Sequence, residues 1–307
     1  MRLARAILRP LSVCAVVVTR NRRELLREAL DAIAAQTRPV DALLVVDNAS
    51  TDRTRELLES SYAAADVLRL ERNEGGAGGF HEGLRAAHAA GHDLVWIMDD
   101  DVVPEPGALA GLLDGRSASA DRDPWLLASK VLWRDGRLHP MNAPIPAWKE
   151  PGLLLETAER RAGLLPIRAA TFTSLLVDRR AIDRYGLPEK RYFLWSDDLE
   201  YTARILRSER GFLATGSIVL HKTATPHTAI TDGGERFYFH MRNTLYMLKG
   251  SAWTPLEKVS HARRLVLSVP SFLRHEGFTP RAAAIVGRGL RDGLLGAGQP
   301  HGPYLRP

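Results

Sequence analysis

Residues 94–101 read LVWIMDDD, five apolar residues running without interruption into three consecutive aspartates. A short apolar run lacking polar alternation is the pattern of a strand buried on both faces, as in parallel sheets covered by helices. The preceding sequence repeats the theme. Val13 to Thr19 (VCAVVVT) is a β-branched run of strand length, and in RELLREALDAIAAQT behind it Leu25, Leu26, Ala29, Leu30 and Ile33 recur at helical spacing. DALLVVDN predicts a second strand, Thr51 to Ser61 a helix, VLRL a short strand and Gly79 to Ala90 another helix. This alternation predicts an α/β fold, a mostly parallel central sheet flanked by helices. Ligands of such sheets bind at the carboxyl ends of the strands. Thr19, Asp47, Asn48, Asn73 and Asp99 to Asp101 all follow strands, so they are the residues to inspect.

Beyond the aspartates the pattern weakens. From Pro104 to Pro166 the chain is rich in Pro, Trp and Arg, is weakly periodic and is expected to include loops lying across the sheet. Order returns with ATFTSLLVDRRAIDRYG, a strand followed by a helix start. YFLWSDDLEYTARILRSER is then a helix entered through acidic residues, and GFLATGSIVLH a further strand. From Phe237 onward the sequence is helical and basic, with HARRLVLSVPSFLRH interrupted at Pro270. The expected division is a basic leader over 1–10, an α/β domain over 11–235 and a helical basic region over 236–307.

A chain of 307 residues with 45% hydrophobic and 25% charged side chains has ordinary globular composition, which excludes disorder, collagen-like repeats and disulfide scaffolds. Forty-two basic against 36 acidic side chains leave a net charge of +6, attractive to phosphates, acidic glycans and anionic lipid headgroups alike. The single cysteine, Cys14, sits in the run VCAVVV as a small buried hydrophobe, and a reducing cytoplasm is the simplest compartment. The start MRLARAILRPLSVCAVVVTR imitates a signal peptide, but its apolar stretch runs into TRNRREL without a small-residue cleavage site. No later segment has the length of a membrane span, so any membrane contact is peripheral.

Four motifs carry chemistry. In extended backbone, residues two apart face the same way, so Asp99 and Asp101 converge while Asp100 points elsewhere. Two carboxylates at a strand end hold a hard divalent cation, Mn2+ or Mg2+, and leave positions for substrate phosphates. A solvated acidic turn is the plainer alternative, but it gives three adjacent carboxylates no counter-charge. RNEGGAGGF, Arg72 to Phe80, fails as a dinucleotide fingerprint because His81 stands where the last glycine belongs. It offers a flexible backbone before a helix N-terminus, where N–H groups approach an anionic or sugar ligand; taken alone, a plain connecting turn is the preferred reading. In WSDDLEY, Ser196 followed by Asp197, Asp198 and Glu200 reads as a helix N-cap, and a carboxylate there beside a cleft is also well placed as a general base. His221 ends the strand of SIVLHKT and gains interest if the acidic strand end lies nearby; His227 follows in a loop.

Together these pieces resemble the inverting GT-A-fold glycosyltransferases of family 2. VVVTRNR, Gln36-Thr37 before VVDNAST, RNEGGAGGF, WIMDDD, WSDDLEY and LHKT follow in the family's order over roughly residues 12 to 250. NxGGAGGF, the uninterrupted DDD and FYFHMRN carry a narrower resemblance to actinobacterial galactofuranosyltransferases. The resemblance implies that Asp99 and Asp101 bind the metal with His221 completing the site, and that Asp198 is the catalytic base. It implies that Thr19, Asp47, Asn48, Arg72, Asn73, Gly78, Asp99 and Asp100 line the site of a nucleotide-sugar donor, a UDP-sugar. Many family members carry a second Asp where this chain has Asn48, which leaves thymidine open.

The chemistry divides accordingly. Leaving-group charge at the diphosphate calls for a cation, and a poor hydroxyl nucleophile calls for a base on the opposite side of the sugar. The implied partners are the donor and a glycan or polyprenyl-diphosphate-linked acceptor, with no nucleic acid; an oligomer is left open. Lys258, Arg263, Arg264, Arg274, Arg281, Arg288 and Arg291 either solvate helices packed on the core or attach the chain to the anionic inner leaflet. Competing readings are a rhamnosyltransferase using dTDP-rhamnose, a natural-product tailoring enzyme, and a non-catalytic sugar-nucleotide binder.

Overall fold

The computed structural model describes residues 11–119, 123–147, 163–225 and 234–296. The leader over 1–10, His227 and the end of the basic region from 297 lie outside the described residues. The first half alternates as the sequence predicts: β1 (Val13–Thr19), α1 (Arg23–Ala34), β2 (Ala42–Asp47), α2 (Thr54–Ser61), β3 (Asp66–Arg69), α3 (Gly75–Ala89) and β4 (Leu94–Asp99). These strands stand in the order β3-β2-β1-β4, all parallel. Every residue of β1 is buried because the two faces are covered separately. Val13, Ala15 and Val17 pack with Leu26 and Leu30 of α1, whereas Cys14, Val16 and Val18 pack with Phe80 and Leu84 of α3. Burial pushes the Cys14 thiol up to about 12, in keeping with a packing role.

Past β4 the sheet becomes mixed. A short β5 (Val102–Pro104) leads to α4 (Ala108–Ala118) and β6 (Pro124–Leu132), followed by β7 (Ile145–Pro146), β8 (Leu164–Ala169) and β9 (Ser174–Asp178). The order continues β4-β9-β6-β10-β8-β7, where β10 is Arg210–His221. β9 runs antiparallel between β4 and β6, and β10 runs parallel to β6. Residues 104–147 therefore include a helix and a nine-residue strand rather than loops alone. Two further helices, α5 (Arg179–Tyr185) and α6 (Asp197–Ile205), cover the α3 face of the sheet.

The end of the described chain forms α7 (Phe237–Lys249), α8 (Pro255–His275) and α9 (Pro280–Leu295). They share an aromatic cluster of Phe237, Tyr238, Phe239 and Phe272, into which Phe193 also packs. Contrary to expectation, α8 is not interrupted at Pro270. Leu265, Ser268 and Phe272 anchor its buried face, and Pro270 falls on the exposed side, where the unmatched carbonyl meets water. A capping box between Thr254 and Glu257 starts this helix.

Candidate active site

Where β4 ends, the chain turns at Asp100 and Asp101 and returns as β5, which pairs antiparallel with the end of β10 so that Val102 faces His221. The backbone N–H of Lys222 donates to the carbonyl of Asp101 over 2.8 Å, closing the corner. Thus a turn, rather than continuous extended backbone, brings the first and third aspartates together. One ligating atom from each of Asp99, Asp101 and His221 lies within 4.8 Å of the others. Asp100 points elsewhere, as expected: its Oδ2 accepts from Thr19 Oγ1 at 2.7 Å and from the Arg20 backbone N–H at 3.3 Å.

The surroundings of His221 fix which nitrogen faces the carboxylates. Asn142 donates through Nδ2 to Thr171 and Thr173, so its Oδ1 is left to accept from Nδ1 of His221 at 2.8 Å. Nε2 is thereby turned toward Asp101 Oδ1, 3.0 Å away. His139 packs against the imidazole with ring centroids 4.8 Å apart and contacts Thr223 through its own Nε2. An imidazole held at one nitrogen by a carbonyl and aimed with the other at a carboxylate is the arrangement of a metal ligand.

Asp101 Oδ1 is buried and faces Nε2 of His221, while Oδ2 takes the Arg22 guanidinium at 2.7 Å. Burial, then the charge of Asp101, pushes Asp99 up to about 7; burial pushes Asp100 up to about 6 against the pull of Arg22. For Asp101 burial is outweighed by His221 and Arg22, which hold it below the usual range. Burial lowers the pKa of His221, but Asp101 and Asp99 outweigh it and raise it. Acids and imidazole here compete for protons that a divalent cation displaces. The buried, closely spaced carboxylate–imidazole donor set fits such an ion, which Asp99, Asp101 and His221 would hold.

The second acidic cluster lies at the start of α6. Ser196 occupies the N-cap position but makes no side-chain cap bond, because its backbone is left-handed, φ 70°. Phe193 and Trp195 also have positive φ, 63° and 65°. Each such non-glycine residue costs on the order of 1 kcal/mol, and strain of this kind collects at functional sites. Asp198 is half-buried, and its Oδ1 accepts from the Leu199 N–H at 2.7 Å. Burial raises it to about 6. Asp197 is raised well above its ordinary value by burial, then by Asp198, with Asp99 contributing. Asp99 therefore lies within electrostatic reach of the helix that presents Asp198. Burial and mutual repulsion thus raise both neighbours, which makes two full charges on the pair costly. Thr202 Oγ1 bonds both the Ala170 backbone and the Asp198 carbonyl, fixing α6 against the sheet.

Other inspected residues brace the scaffold. Asp47 accepts from the Ser50 N–H at 2.8 Å, and Asn48 uses both ends of its amide, to the Gly75 carbonyl and the Glu74 N–H. Asn73 accepts from the Gly75 N–H at 2.9 Å, and Arg72 lies exposed, 3.7 Å from Glu74. The glycine run is helical from Gly75 onward rather than a loose turn. Gly78 is buried against Glu74 and Gly79 against Val18, so the missing side chains serve close packing. Sequence reasoning missed Arg22 and Asn142. TRNR placed the former beside a strand end, whereas nothing in the sequence marked Asn142.

Comparison with known proteins follows the same lines. The model of Glycosyl transferase family 2 matches residues 14–123. Galactofuranosyltransferase GlfT1 of Mycolicibacterium smegmatis is 32% identical over 250 residues, 77% of this chain and 82% of that protein. The N-acetylglucosaminyl-diphospho-decaprenol L-rhamnosyltransferase of Mycobacterium tuberculosis is 28% identical over 280 residues, 78% of this chain and 87% of that protein. Among solved structures, the mannosyltransferase PcManGT from Pyrobaculum calidifontis, in complex with GDP-Man and Mn2+, superposes with a TM-score of 0.57 at 21% identity. It covers 94% of this chain and 76% of its own.

Proposed function

The chain belongs to glycosyl transferase family 2 and has the GT-A fold, and from that premise we propose that it is a metal-dependent inverting enzyme. Its donor is UDP-galactofuranose, and its acceptor is a glycan or a polyprenyl-diphosphate-linked glycan. The observation that carries this reading is the convergence of Asp99, Asp101 and His221, one ligating atom from each lying within 4.8 Å of the others. A divalent cation bound there, Mn2+ or Mg2+, supplies charge stabilisation for the departing diphosphate.

The remaining work falls to the chain's own groups. Thr19 holds Asp100 away from the ligand cluster, which leaves Asp99 and Asp101 to the ion. Arg22, already on the outer oxygen of Asp101, adds positive charge where the diphosphate approaches. Asp198 takes the proton of the acceptor hydroxyl at its free carboxylate oxygen, from the side opposite the leaving group, and attack from that side inverts the anomeric carbon. Asp197 beside it is raised by burial and by Asp198 itself, which disfavours two negative charges on the pair. Thr19, Asp47, Asn48, Arg72, Asn73 and Gly78 remain assigned to the donor side of the cleft, the first five at or after strand ends and Gly78 in the first turn of α3.

The similarity to galactofuranosyltransferases supports the sugar; that to the rhamnosyltransferase supports dTDP-rhamnose as the second reading. Donor hydrolysis in Mn2+ with each nucleotide sugar separates them: turnover of UDP-galactofuranose is expected, and turnover of dTDP-rhamnose alone selects the other. No helix among the described residues is long and apolar enough to cross a membrane. Contact with a lipid-linked acceptor at the cytoplasmic face is assigned to α8. Its exposed Leu256, Val259, Val266 and Leu267 interleave with Arg263, Arg264 and Arg274, and no acid occurs from Lys258 to His275. By contrast, Arg281 and Arg288 pair with Glu235, and Arg291 with Asp292.

A further inference from the structure

The backbone that delivers Asp197 and Asp198 has positive φ at Phe193, Trp195 and Ser196, none of which is glycine. Local preference opposes that path, so contacts from elsewhere must impose it. They come from α7. The Asn243 side-chain nitrogen lies 2.9 Å from the carbonyl of Tyr192 and 2.8 Å from those of Leu194 and Trp195. Arg242 Nη2 donates to the carbonyls of Arg191 and Tyr192 at 2.9 and 2.7 Å, and its Nε donates to Asn243 Oδ1 at 2.9 Å. Both side chains are fully buried. The guanidinium lies 5.1 to 5.4 Å from the ring centroids of Tyr238, Phe239 and Tyr246, which fix it in turn. From the opposite side, the Ala77 N–H donates to the Phe193 carbonyl at 3.2 Å, and Gly75 lets that carbonyl approach where a Cβ would stand.

We propose that Asn243, oriented by Arg242, is a positioning residue: it holds residues 193–196 in this path and thereby sets where the Asp198 carboxylate points. The proposal rests on the reading of Asp198 as the base. An asparagine amide suits the task because it offers donors to several converging carbonyls while its oxygen receives the arginine that orients it. The packed helices behind it make the clamp rigid. A bend of this kind between two fixed ends directs the first turn of α6 in a way that a side-chain N-cap at Ser196 does not.

The test uses the full chain with Mn2+ and UDP-galactofuranose, measuring turnover at saturating donor and, separately, UDP affinity by calorimetry. Asn243→Ala is expected to lower kcat at least tenfold while the UDP Kd stays within twofold. Adding Ser196→Gly to that variant is expected to recover at least threefold, since glycine adopts positive φ without a clamp. A purely structural asparagine predicts neither the split nor the recovery, so kcat within twofold of wild type, or no recovery, overturns the proposal. Should Asn243→Ala fail to fold, Ser196→Gly alone decides. A raised Tm supports a residue held against its preference, and no rise overturns it. Asp198→Asn in parallel separates the two ideas: full turnover there removes the base, whereas an inactive Asp198→Asn beside a fully active Asn243→Ala removes only the clamp.

Discussion

Asn142 Oδ1 accepts from Nδ1 of His221 over 2.8 Å, and this contact turns the other ring nitrogen toward Asp101. Partners of this kind typically account for 10- to 100-fold of a site's metal affinity. Asn142→Ala is therefore expected to weaken Mn2+ binding by about that factor, read by calorimetry on the folded protein. Unchanged affinity contradicts His221 as an oriented ligand.

Asp198→Asn keeps the shape of the side chain and removes its basicity. Turnover is expected to fall by about 100-fold or more with UDP and Mn2+ binding nearly intact, the scale for losing a general base. The wild-type pH profile follows from the same group. Burial raises Asp198 to about 6, and only its ionised form accepts a proton, so kcat falls as pH drops through that value and levels above it. In Asp198→Asn this acid limb disappears; its persistence assigns the limb to another group.

Two adjacent glycines in α3 give opposite expectations. Gly75 has φ +72° and the Phe193 carbonyl where a Cβ would stand, whereas nothing lies within 4 Å of the corresponding position at Gly76. Gly75→Ala is expected to cost about 2–4 kcal/mol from the unfavourable φ and the overlap together. Gly76→Ala is expected to be neutral or to stabilise by up to about 1 kcal/mol. Urea unfolding of both variants checks the pair.

Reversing charge at Arg263 and Arg264 tests the α8 surface. Arg263→Glu with Arg264→Glu is expected to weaken co-sedimentation with vesicles containing anionic lipid severalfold, at roughly 1 kcal/mol per basic residue lost. Hydrolysis of UDP-galactofuranose in solution stays at the wild-type rate. Equal sedimentation removes this face from the lipid contact.

The parallel half of the fold was legible because each of its strands but the short β3 is an apolar run and each helix except the glycine-rich α3 has a clear stripe. The stretch holding α4 and β6 was not. α4 carries Gly111 and Gly115 within its length, which weakens its helical signal, yet Gly111 is small because the backbone at Gly216 and Ser217 packs against it. β6 mixes Ser129 and Lys130 with apolar residues and so lost its strand pattern. In the site, the acidic turn and His221 could be anticipated from their strand ends. Asn142 could not, since a lone asparagine in an irregular segment resembles any turn residue. The positive-φ stretch before Asp197 was equally hidden, because Phe, Trp and Ser carry no preference for it and the cause lies in α7, some 50 residues away.

The most direct measurement is diffraction from a crystal of the chain grown with UDP and Mn2+, with the cation located by its anomalous signal. The account predicts one Mn2+ within about 2.3 Å of Asp99, Asp101 and His221. It also predicts the UDP diphosphate on that ion and the Asp198 carboxylate across the sugar pocket from it. A cation held by other residues, or a diphosphate bound away from these three side chains, contradicts it.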